Sequence, residues 1–141
     1  GMSVNEVNDA LNKKSGLLGV SGVSNDARDV WAAANEGNER AQLAMDLLVH
    51  NAKKIIGSYV AEMNGVDAVV FTAGIGENNN SLRGEVCREL SYLGIEIDEG
   101  VNENAPRGTF QDLTKAGAKV KTFVIPTNEE LVIARDTLAL L

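Results

Sequence analysis

The spacing of apolar residues along the chain predicts helices that alternate with short strands. Apolar side chains recur at intervals of three and four residues, which is the spacing of a helix face packed against a core. The predicted helices cover residues 4–11, 26–35, 39–63 and 82–90, and a last helix begins near residue 127. Shorter apolar runs predict strands at 66–71, 93–98 and 120–125. The glycine-punctuated stretch 17–23 and the polar stretch 100–116 are predicted to be loops.

The rest of the chain is organised around the stretch 66–78. It begins as an apolar run rich in β-branched residues, and this predicts a strand buried on both faces. Gly74 and Gly76 then allow the backbone to turn sharply and to approach a partner closely. Because N-cap residues follow at 78–81, a strand, a glycine turn and a helix start come together, and we expect an anion site for phosphate. The alternative is that the two glycines only form a tight connection.

Capping boxes are predicted at two helix starts, Ser3 with Glu6 and Thr127 with Glu130. The second box gives Glu130 a structural role and leaves the neighbouring Glu129 free. A carboxylate between two βα turns, beside a phosphate site, is well placed to help hold Mg²⁺. The alternative is that Glu129 is only a favourable acidic residue in the first turn of a helix.

A second candidate binding segment lies at the start of the helix at 26–35. Asp26 could accept hydrogen bonds from a ribose or an amine, and Arg28 could stack on a base or pair with phosphate. Without further context, a surface ion pair is the favoured interpretation of these two residues. His50 and Cys87 have no partner at metal or catalytic spacing, so both are predicted to be structural.

A dinucleotide-binding fingerprint is a rival interpretation of the two glycines. Gly74 and Gly76 follow a strand, and Asp98 comes about twenty residues later, as that fingerprint requires. Asn79 stands where the third glycine should be, however, and the fingerprint should open its domain. We therefore disfavour this interpretation.

The predicted strands are too few for a complete sheet. Two good strands and one weak strand are predicted, whereas sheets usually contain more. The strand at 66–71 is also too apolar to lie at a solvent-exposed edge. The pattern indicates an α/β layer with parallel pairing between the two main strands, at the end of a longer protein.

Composition narrows the class of protein. The 141 residues fit one domain, and 44% of them are apolar. The net charge of −7 argues against a nucleic-acid surface. The single cysteine, Cys87, suits the cytoplasm, and no signal peptide or membrane span is predicted. Gly1 before Met2 is interpreted as the remnant of an expression tag.

Four stretches together resemble the acetate kinase family. They are Asn-Lys-Lys-Ser-Gly-Leu-Leu-Gly-Val-Ser-Gly-Val-Ser-Asn-Asp-Ala-Arg-Asp at 12–29, Val-Phe-Thr-Ala-Gly-Ile-Gly-Glu-Asn at 70–78, Leu-Gly-Ile at 93–95, and Val-Ile-Pro-Thr-Asn-Glu-Glu-Leu-Val-Ile-Ala-Arg-Asp-Thr at 124–137. They span nearly the whole chain in the family's order. Propionate and butyrate kinases have similar motifs, so the acyl chain of the substrate stays open.

The resemblance implies a partial ribonuclease-H-like α/β domain of the actin, Hsp70 and sugar kinase type, with parallel strands and flanking helices. The family's reaction moves a phosphoryl group between ATP and acetate, giving acetyl phosphate and ADP. ATP or ADP and Mg²⁺ are therefore the expected cofactors. The resemblance makes Glu129 the acid of the metal site and assigns the nucleotide to Asp26, Ala27, Arg28, Gly74, Ile75, Gly76, Glu77 and Asn78.

The resemblance also implies that residues 2–141 form only the C-terminal portion of the nucleotide-binding second domain. The family's acetate-binding arginine, its catalytic aspartate and its transition-state histidine and arginine lie upstream of Met2, so no catalytic residue is assigned here. The isolated chain is expected to be inactive. The implied partners are the nucleotide, a short-chain acyl substrate of the full-length enzyme and a second copy of the chain, with no nucleic acid and no membrane. A non-catalytic nucleotide-binding or interaction module is the alternative from another class.

Overall fold

The computed structural model describes all residues, 1–141, and they form two compact units, Gly1–Ser58 and Tyr59–Leu141. The first unit is helical, and its last helix continues into the second unit. Its elements are α1 (Val4–Asn12), α2 (Gly16–Ser21), α3 (Ala27–Asn35) and most of α4 (Glu39–Glu62). None of the helices in either unit is both long and apolar enough to cross a membrane.

Local signals set the helix starts in the first unit. The capping box predicted for α1 is confirmed, because Ser3 Oγ accepts from the Glu6 N–H at 3.4 Å and Glu6 Oε2 accepts from the Ser3 N–H at 2.7 Å. The Asp26 carboxylate caps α3 by accepting from the Arg28 N–H at 2.8 Å. These helices therefore begin within a residue or two of the predicted positions.

The loop predicted at 17–23 is wrong, because this stretch contains α2. Gly16 and Gly22 bracket the helix with φ angles of +59° and +70°, a backbone conformation that glycine adopts at little cost. The glycines thus mark the ends of a short helix, and only one glycine lies inside it. Arg40 of α4 donates to the Val20 carbonyl oxygen at 2.9 Å and to the Gly19 carbonyl oxygen at 3.3 Å, so the end of α2 is held by a cation.

The long helix α4 is confirmed almost to the residue, but its predicted packed face is only partly buried. Ala41, Ala44 and Met45 in its first two turns are buried. Ile55 and Tyr59, on the same predicted face, are 50% and 62% exposed. The apolar stripe of α4 therefore extends past its buried first two turns, and its later residues are exposed to solvent.

The second unit is built on a three-stranded sheet in the order β1-β3-β2. Its strands are β1 (Ala68–Phe71), β2 (Gln111–Asp112) and β3 (Lys121–Val124). The parallel pairing predicted for the two main strands is confirmed, and Phe71 lies opposite Val124 in the register. The short strand β2 pairs antiparallel with β3.

The prediction that β1 is buried on both faces is wrong for this chain. β1 lies at one edge of the sheet, where its only neighbouring strand is β3. Alternate side chains are exposed, and Val70 is 46% exposed. An apolar β-branched side chain at an open sheet edge is unusual, because such edges pair readily with other chains.

The segments between the main strands contain more helix than predicted. Helix α5 (Ala73–Asn78) occupies the predicted glycine turn, and α6 (Asn80–Cys87) is capped by the Asn79 carboxamide. The strand predicted at 93–98 is replaced by a 3₁₀ turn at Ser91–Leu93 and two isolated bridges, Ile95 with Val120 and Ile97 with Thr114. The predicted loop at 100–116 holds α7 (Glu99–Glu103), which is capped by Asp98, and β2.

The core of the second unit lies between the sheet and α6. Its buried apolar residues lie on α6, at the two bridges, on β3 and in the segments that follow α6 and β2. They are Leu82, Val86, Cys87, Leu90, Ile95, Ile97, Leu113, Val120 and Val124. The prediction that Cys87 is a small packed residue is therefore confirmed. The last helix, α8 (Glu129–Ala139), contributes no buried residue to this core.

Candidate functional site

The connection after β1 turns at Ala73 rather than at Gly74. Ala73 has a φ of +59°, a left-handed conformation that costs an alanine about 1–2 kcal/mol, whereas the φ of Gly74 is not positive. A Cβ added at Gly74 would meet nothing within 4 Å. The predicted role of Gly74 as the turning residue is therefore wrong, because the chain turns one residue earlier. Open space over its backbone is what the structure shows at Gly74.

Gly76 is required by close packing. A Cβ at Gly76 would lie 3.3 Å from the carbonyl carbon of Phe71 and 3.5 Å from its Cα. The 3.3 Å distance is tighter than an ordinary van der Waals contact, so a larger residue would require α5 and the end of β1 to separate by a few tenths of an ångström. The two glycines of this segment thus have different roles. Gly74 leaves its backbone open, whereas Gly76 allows close packing on Phe71, and their spacing in the sequence does not distinguish these roles.

The start of α8 differs from the predicted capping box. The N-cap is Asn128, whose Oδ1 accepts from the Leu131 N–H at 2.9 Å. Thr127 donates both its N–H and its hydroxyl to Glu77 Oε1, at 2.8 Å and 3.0 Å. The structural role predicted for Glu130 as the box partner is therefore wrong, because a residue fifty positions upstream has recruited Thr127.

The Glu77–Thr127 contact joins the two βα turns of the second unit. β1 and β3 are parallel neighbours, so their carboxyl ends meet at the same edge of the sheet. The Ile125 N–H extends the ladder by donating to the Phe71 carbonyl oxygen at 3.0 Å. The pKa of the Glu77 carboxyl is lowered, chiefly by the hydrogen bond from the Thr127 N–H and then by that from the Thr127 hydroxyl. Glu77 is therefore ionised at neutral pH.

Glu129 lies in the first turn of α8, beside this contact. Its side chain is exposed, and its carboxylate makes no hydrogen bond or ion pair within the chain. No group of three or more His, Cys, Asp and Glu side chains in the structure is arranged to hold a metal ion. Any cation at this edge of the sheet would therefore take at most two ligands from the His, Cys, Asp and Glu side chains of this chain.

The residue that sequence reasoning missed is Arg83. Its side chain is only 2% exposed, and it lies on the buried face of α6. The guanidinium Nη1 donates to the carbonyl oxygens of Gly76 and Glu77, both at 2.9 Å. Nε donates to Asn102 Oδ1 at 2.9 Å, and Nη2 donates to the Asn102 carbonyl oxygen at 3.3 Å. Arg83 thus fastens the last turn of α5 to α6 and α7.

The electrostatics of Arg83 fit this fastening role. All four of its acceptors are neutral oxygens, and burial lowers the pKa of its guanidinium from the usual range. A cation at the carboxyl end of α5 also interacts favourably with the partial negative charge of the free carbonyl groups there. A signal was present in the sequence, because Arg83 stands three, four and seven residues before the apolar Val86, Cys87 and Leu90. An arginine at that spacing lies on the apolar face of its helix, so the aliphatic part of its side chain points into the core.

Asp26, Ala27 and Arg28 lie in the first unit, where Ala27 is buried at the start of α3. The Arg28 guanidinium donates to the Asp26 carboxylate, with Nε at 3.0 Å from Oδ1 and Nη2 at 2.5 Å from Oδ2. The side-chain hydrogen bonds from Arg28 lower the pKa of Asp26 to about 2. The Arg28 side chain is itself almost fully exposed. This geometry is that of the surface ion pair, and the assignment of these residues to a nucleotide stays a prediction.

Comparison with known proteins places this geometry in a class. The structure is similar to the crystal structure of Porphyromonas gingivalis acetate kinase, with a TM-score of 0.87 and 45% identity over 99% of this chain and 35% of the other. It is also similar to the structure of a propionate kinase from Francisella tularensis, with a TM-score of 0.82 and 40% identity over 95% of this chain and 33% of the other. The fold class is therefore the mixed α/β fold of actin, Hsp70 and the sugar kinases, as the resemblance implied.

The family follows from the sequence match. The model of the acetokinase family matches residues 1–135, and the chain belongs to that family. A relative named acetate kinase, from Moorella thermoacetica, is 57% identical over 135 residues, which are 96% of this chain and 34% of the relative. The chain therefore spans about a third of the length of the relatives it matches.

Proposed function

We propose that this chain forms the nucleotide side of an acetate kinase active site. In the complete enzyme a phosphoryl group would pass between ATP and acetate, giving ADP and acetyl phosphate. The observation that supports the proposal is the contact between the family segment 73–78 and Thr127, two residues before Glu129, at the edge of the sheet where β1 and β3 end. Phosphoryl transfer needs mainly positioning and charge neutralisation, and this edge offers both backbone and a carboxylate.

The phosphate groups of ATP or ADP would lie against the backbone of residues 74–78. The absence of any atom within 4 Å of a Cβ built at Gly74 supports this placement, because a ligand can approach the backbone there. Asp26, Ala27 and Arg28 would line the adenosine pocket in the complete enzyme. The exposed Arg28 guanidinium has the planar shape that stacks on a base.

Mg²⁺ would be held by Glu129 together with the nucleotide phosphates. Magnesium sites in phosphoryl-transfer enzymes commonly use one or two carboxylates and leave the other positions to phosphate and water. An exposed carboxylate without a hydrogen-bond partner in the chain fits that requirement. The ion would supply charge neutralisation at the transferring phosphoryl group when it is bound.

The acceptor side of the reaction is proposed to lie in the remaining two thirds of the complete protein. This chain carries no residue that the family assigns to acetate binding or to the catalytic step, so the isolated chain is proposed to be inactive and cytoplasmic. A short-chain acid other than acetate is the second candidate substrate, because a solved propionate kinase shares the fold with a TM-score of 0.82. A homodimer is the proposed assembly of the complete enzyme.

The experiment that tests the proposal uses Gly74→Ala and the control Gly57→Ala. Gly57 lies in α4, and an added Cβ would meet nothing within 4 Å there or at Gly74, so both variants should fold. Alanine in a helix interior is about 0.5–1 kcal/mol more favourable than glycine, so neither variant should be destabilised. MgADP binding would be measured by isothermal titration calorimetry at millimolar nucleotide.

We expect the unsubstituted chain and Gly57→Ala to bind MgADP with the same millimolar affinity. Gly74→Ala should bind at least about tenfold more weakly, because its methyl group would hold the phosphate away from the backbone. Equal affinities in all three proteins would show that residues 74–78 only connect β1 to α6. No binding by the unsubstituted chain would contradict the proposal for this chain.

A further inference from the structure

We propose that the Glu77 side chain is a positioning group, which fixes the start of α8 and therefore Glu129 against the segment 73–78, and that its carboxylate does not contact the nucleotide or its metal. The inference rests on the proposed function for the site that it positions. It revises the role that the family resemblance implies for Glu77, and it is drawn from the two hydrogen bonds that one carboxylate oxygen accepts from Thr127.

The contact lies just beyond the last hydrogen bond of the β1–β3 ladder, which the Ile125 N–H donates to the Phe71 carbonyl oxygen. Thr127 follows Pro126, which has no N–H group, and precedes the N-cap Asn128. The Thr127 N–H lies outside the helix and is satisfied only by Glu77 Oε1, at 2.8 Å. No residue of α8 is buried, so packing does not hold this helix start. We infer that the orientation of the first turn of α8 depends on the hydrogen bonds that Thr127 donates to Glu77.

The other end of the connection is firmly held. Glu77 belongs to α5, and its carbonyl oxygen accepts from the buried Arg83 at 2.9 Å. The neighbouring carbonyl of Gly76 accepts from the same nitrogen at 2.9 Å. The Glu77 side chain thus extends from a backbone held by Arg83 to an exposed helix start. Glu129, two residues beyond Thr127, takes its place at the sheet edge through this connection.

A direct role and a positioning role make opposite demands on the Glu77 side chain. A metal ligand or a charge partner needs the negative charge, which Glu77→Gln removes. A hydrogen-bond acceptor for the Thr127 N–H and hydroxyl needs only an oxygen, and the glutamine amide oxygen supplies one. Glu77→Ala removes both. The pair of variants therefore separates the two roles at a single position.

The first measurement is amide hydrogen exchange at the start of α8, which requires no nucleotide. We expect Glu77→Ala to speed exchange of the Leu131 and Val132 amides about tenfold, because the helix start loses its anchor. Glu77→Gln should change these rates less than about threefold. Glu130→Ala, which removes an exposed carboxylate that makes no hydrogen bond in the chain, is the matched control and should change them little.

A double-mutant cycle with Thr127→Val tests the partner. Valine removes the hydroxyl and keeps the N–H, so Thr127→Val alone should speed exchange less than Glu77→Ala does. Added to Glu77→Ala, it should have no further effect on the α8 amides. Additive effects of the two substitutions, or unchanged exchange in Glu77→Ala, would overturn the positioning role.

The second measurement is the increase in ADP affinity on adding Mg²⁺. We expect Glu77→Ala to reduce this increase and Glu77→Gln to preserve it to within about twofold. Equal losses in both variants, with α8 exchange unchanged, would make Glu77 a direct ligand and overturn the inference. If the unsubstituted chain binds no MgADP, the proposed function fails for this chain, and the exchange measurements still decide whether Glu77 anchors α8.

Discussion

Replacing Arg83 with methionine should destabilise the second unit selectively. Methionine is unbranched and apolar and fills much of the same space. The change therefore removes the guanidinium and keeps the packing of the aliphatic part of the side chain. Four acceptors then lose their donor: two carbonyl oxygens of α5, and the side-chain and backbone oxygens of Asn102. The substitution therefore tests hydrogen bonding by a buried cation with little change in apolar packing.

The size of the effect follows from the burial of each acceptor. The Asn102 oxygens are bonded in a buried setting, and each would be left unsatisfied at a cost of about 1–3 kcal/mol. The α5 carbonyl oxygens are bonded in a partly buried setting, so water can replace part of what they lose. Removing a buried charge also recovers part of its desolvation penalty. We expect a net loss of about 2–4 kcal/mol in the free energy of unfolding.

Urea unfolding followed by far-UV circular dichroism measures this loss, and Arg88→Met is the matched control. Arg88 follows α6 directly, but its side chain is mostly exposed and pairs with Glu85 at 2.6 Å. An exposed ion pair contributes little, so this control should change the free energy of unfolding by less than about 1 kcal/mol. Trp31, the only tryptophan, lies in α3 and reports on the first unit separately. Equal effects of the two substitutions, or no effect of Arg83→Met, would show that the hydrogen bonds of the Arg83 guanidinium do not stabilise the second unit.

Three further predictions concern activity, protonation and assembly. The purified chain, freed of host kinases, should form no acetyl phosphate from ATP and acetate, since the loss of even one charge-stabilising group costs orders of magnitude in rate; measurable turnover dependent on both substrates would contradict this. The carboxyl of Asp26 should titrate near pH 2 in an NMR pH series, and the midpoint of this titration should rise toward the usual value in Arg28→Gln. Because the pKa of Asp26 is lowered in the folded chain, any stability that this carboxylate contributes is present above about pH 4 and is lost as the pH falls toward 2. The chain should self-associate at micromolar concentration through the open edge of β1, and Val70→Lys should weaken this association in sedimentation velocity; a monomeric unsubstituted chain would contradict the prediction.

Local sequence signals predicted the elements whose causes are local. The α1 capping box and the extent of α4 follow from short-range patterns, and both are confirmed. The parallel pairing of β1 with β3, also confirmed, follows from the alternation of strands and helices along the chain. The error at α2 arose because glycines at the two ends of a helix resemble glycines in a loop. Glycines at helix ends differ from loop glycines in where they stand relative to the helix, and the spacing of glycines in the sequence does not reveal that position.

The errors at the candidate site have long-range causes. Thr127 and Asn128 are both good N-cap residues, and the choice between them depends on Glu77, fifty positions away, which recruits Thr127. The close approach of Gly76 to Phe71 is a contact made only when α5 packs on the end of β1. Spacing in the sequence does not reveal the role of Arg83, because its acceptors come from two separate segments, α5 and α7. Its place on the apolar face of α6 was nonetheless visible in the spacing.

The exposure of β1 is a failure of a different kind. The run of β-branched residues predicts a strand buried on both faces, whereas Val70 is 46% exposed in the structure. Residue type reflects the environment in the complete protein, and the chain spans about a third of its relatives' length. The same reasoning accounts for the apolar residues left exposed on the second half of α4 and on α8.

The central claim is that the chain carries the nucleotide side of the site, and an NMR titration of the isotopically labelled chain with MgADP tests it most directly. We expect the amide signals of residues 74–78 and of Glu129 to shift together and to saturate at millimolar nucleotide. Chelating the Mg²⁺ should reduce the shift at Glu129 more than the shifts at 74–78. Shifts confined to other surfaces, or no saturable shift at 74–78, would contradict this claim.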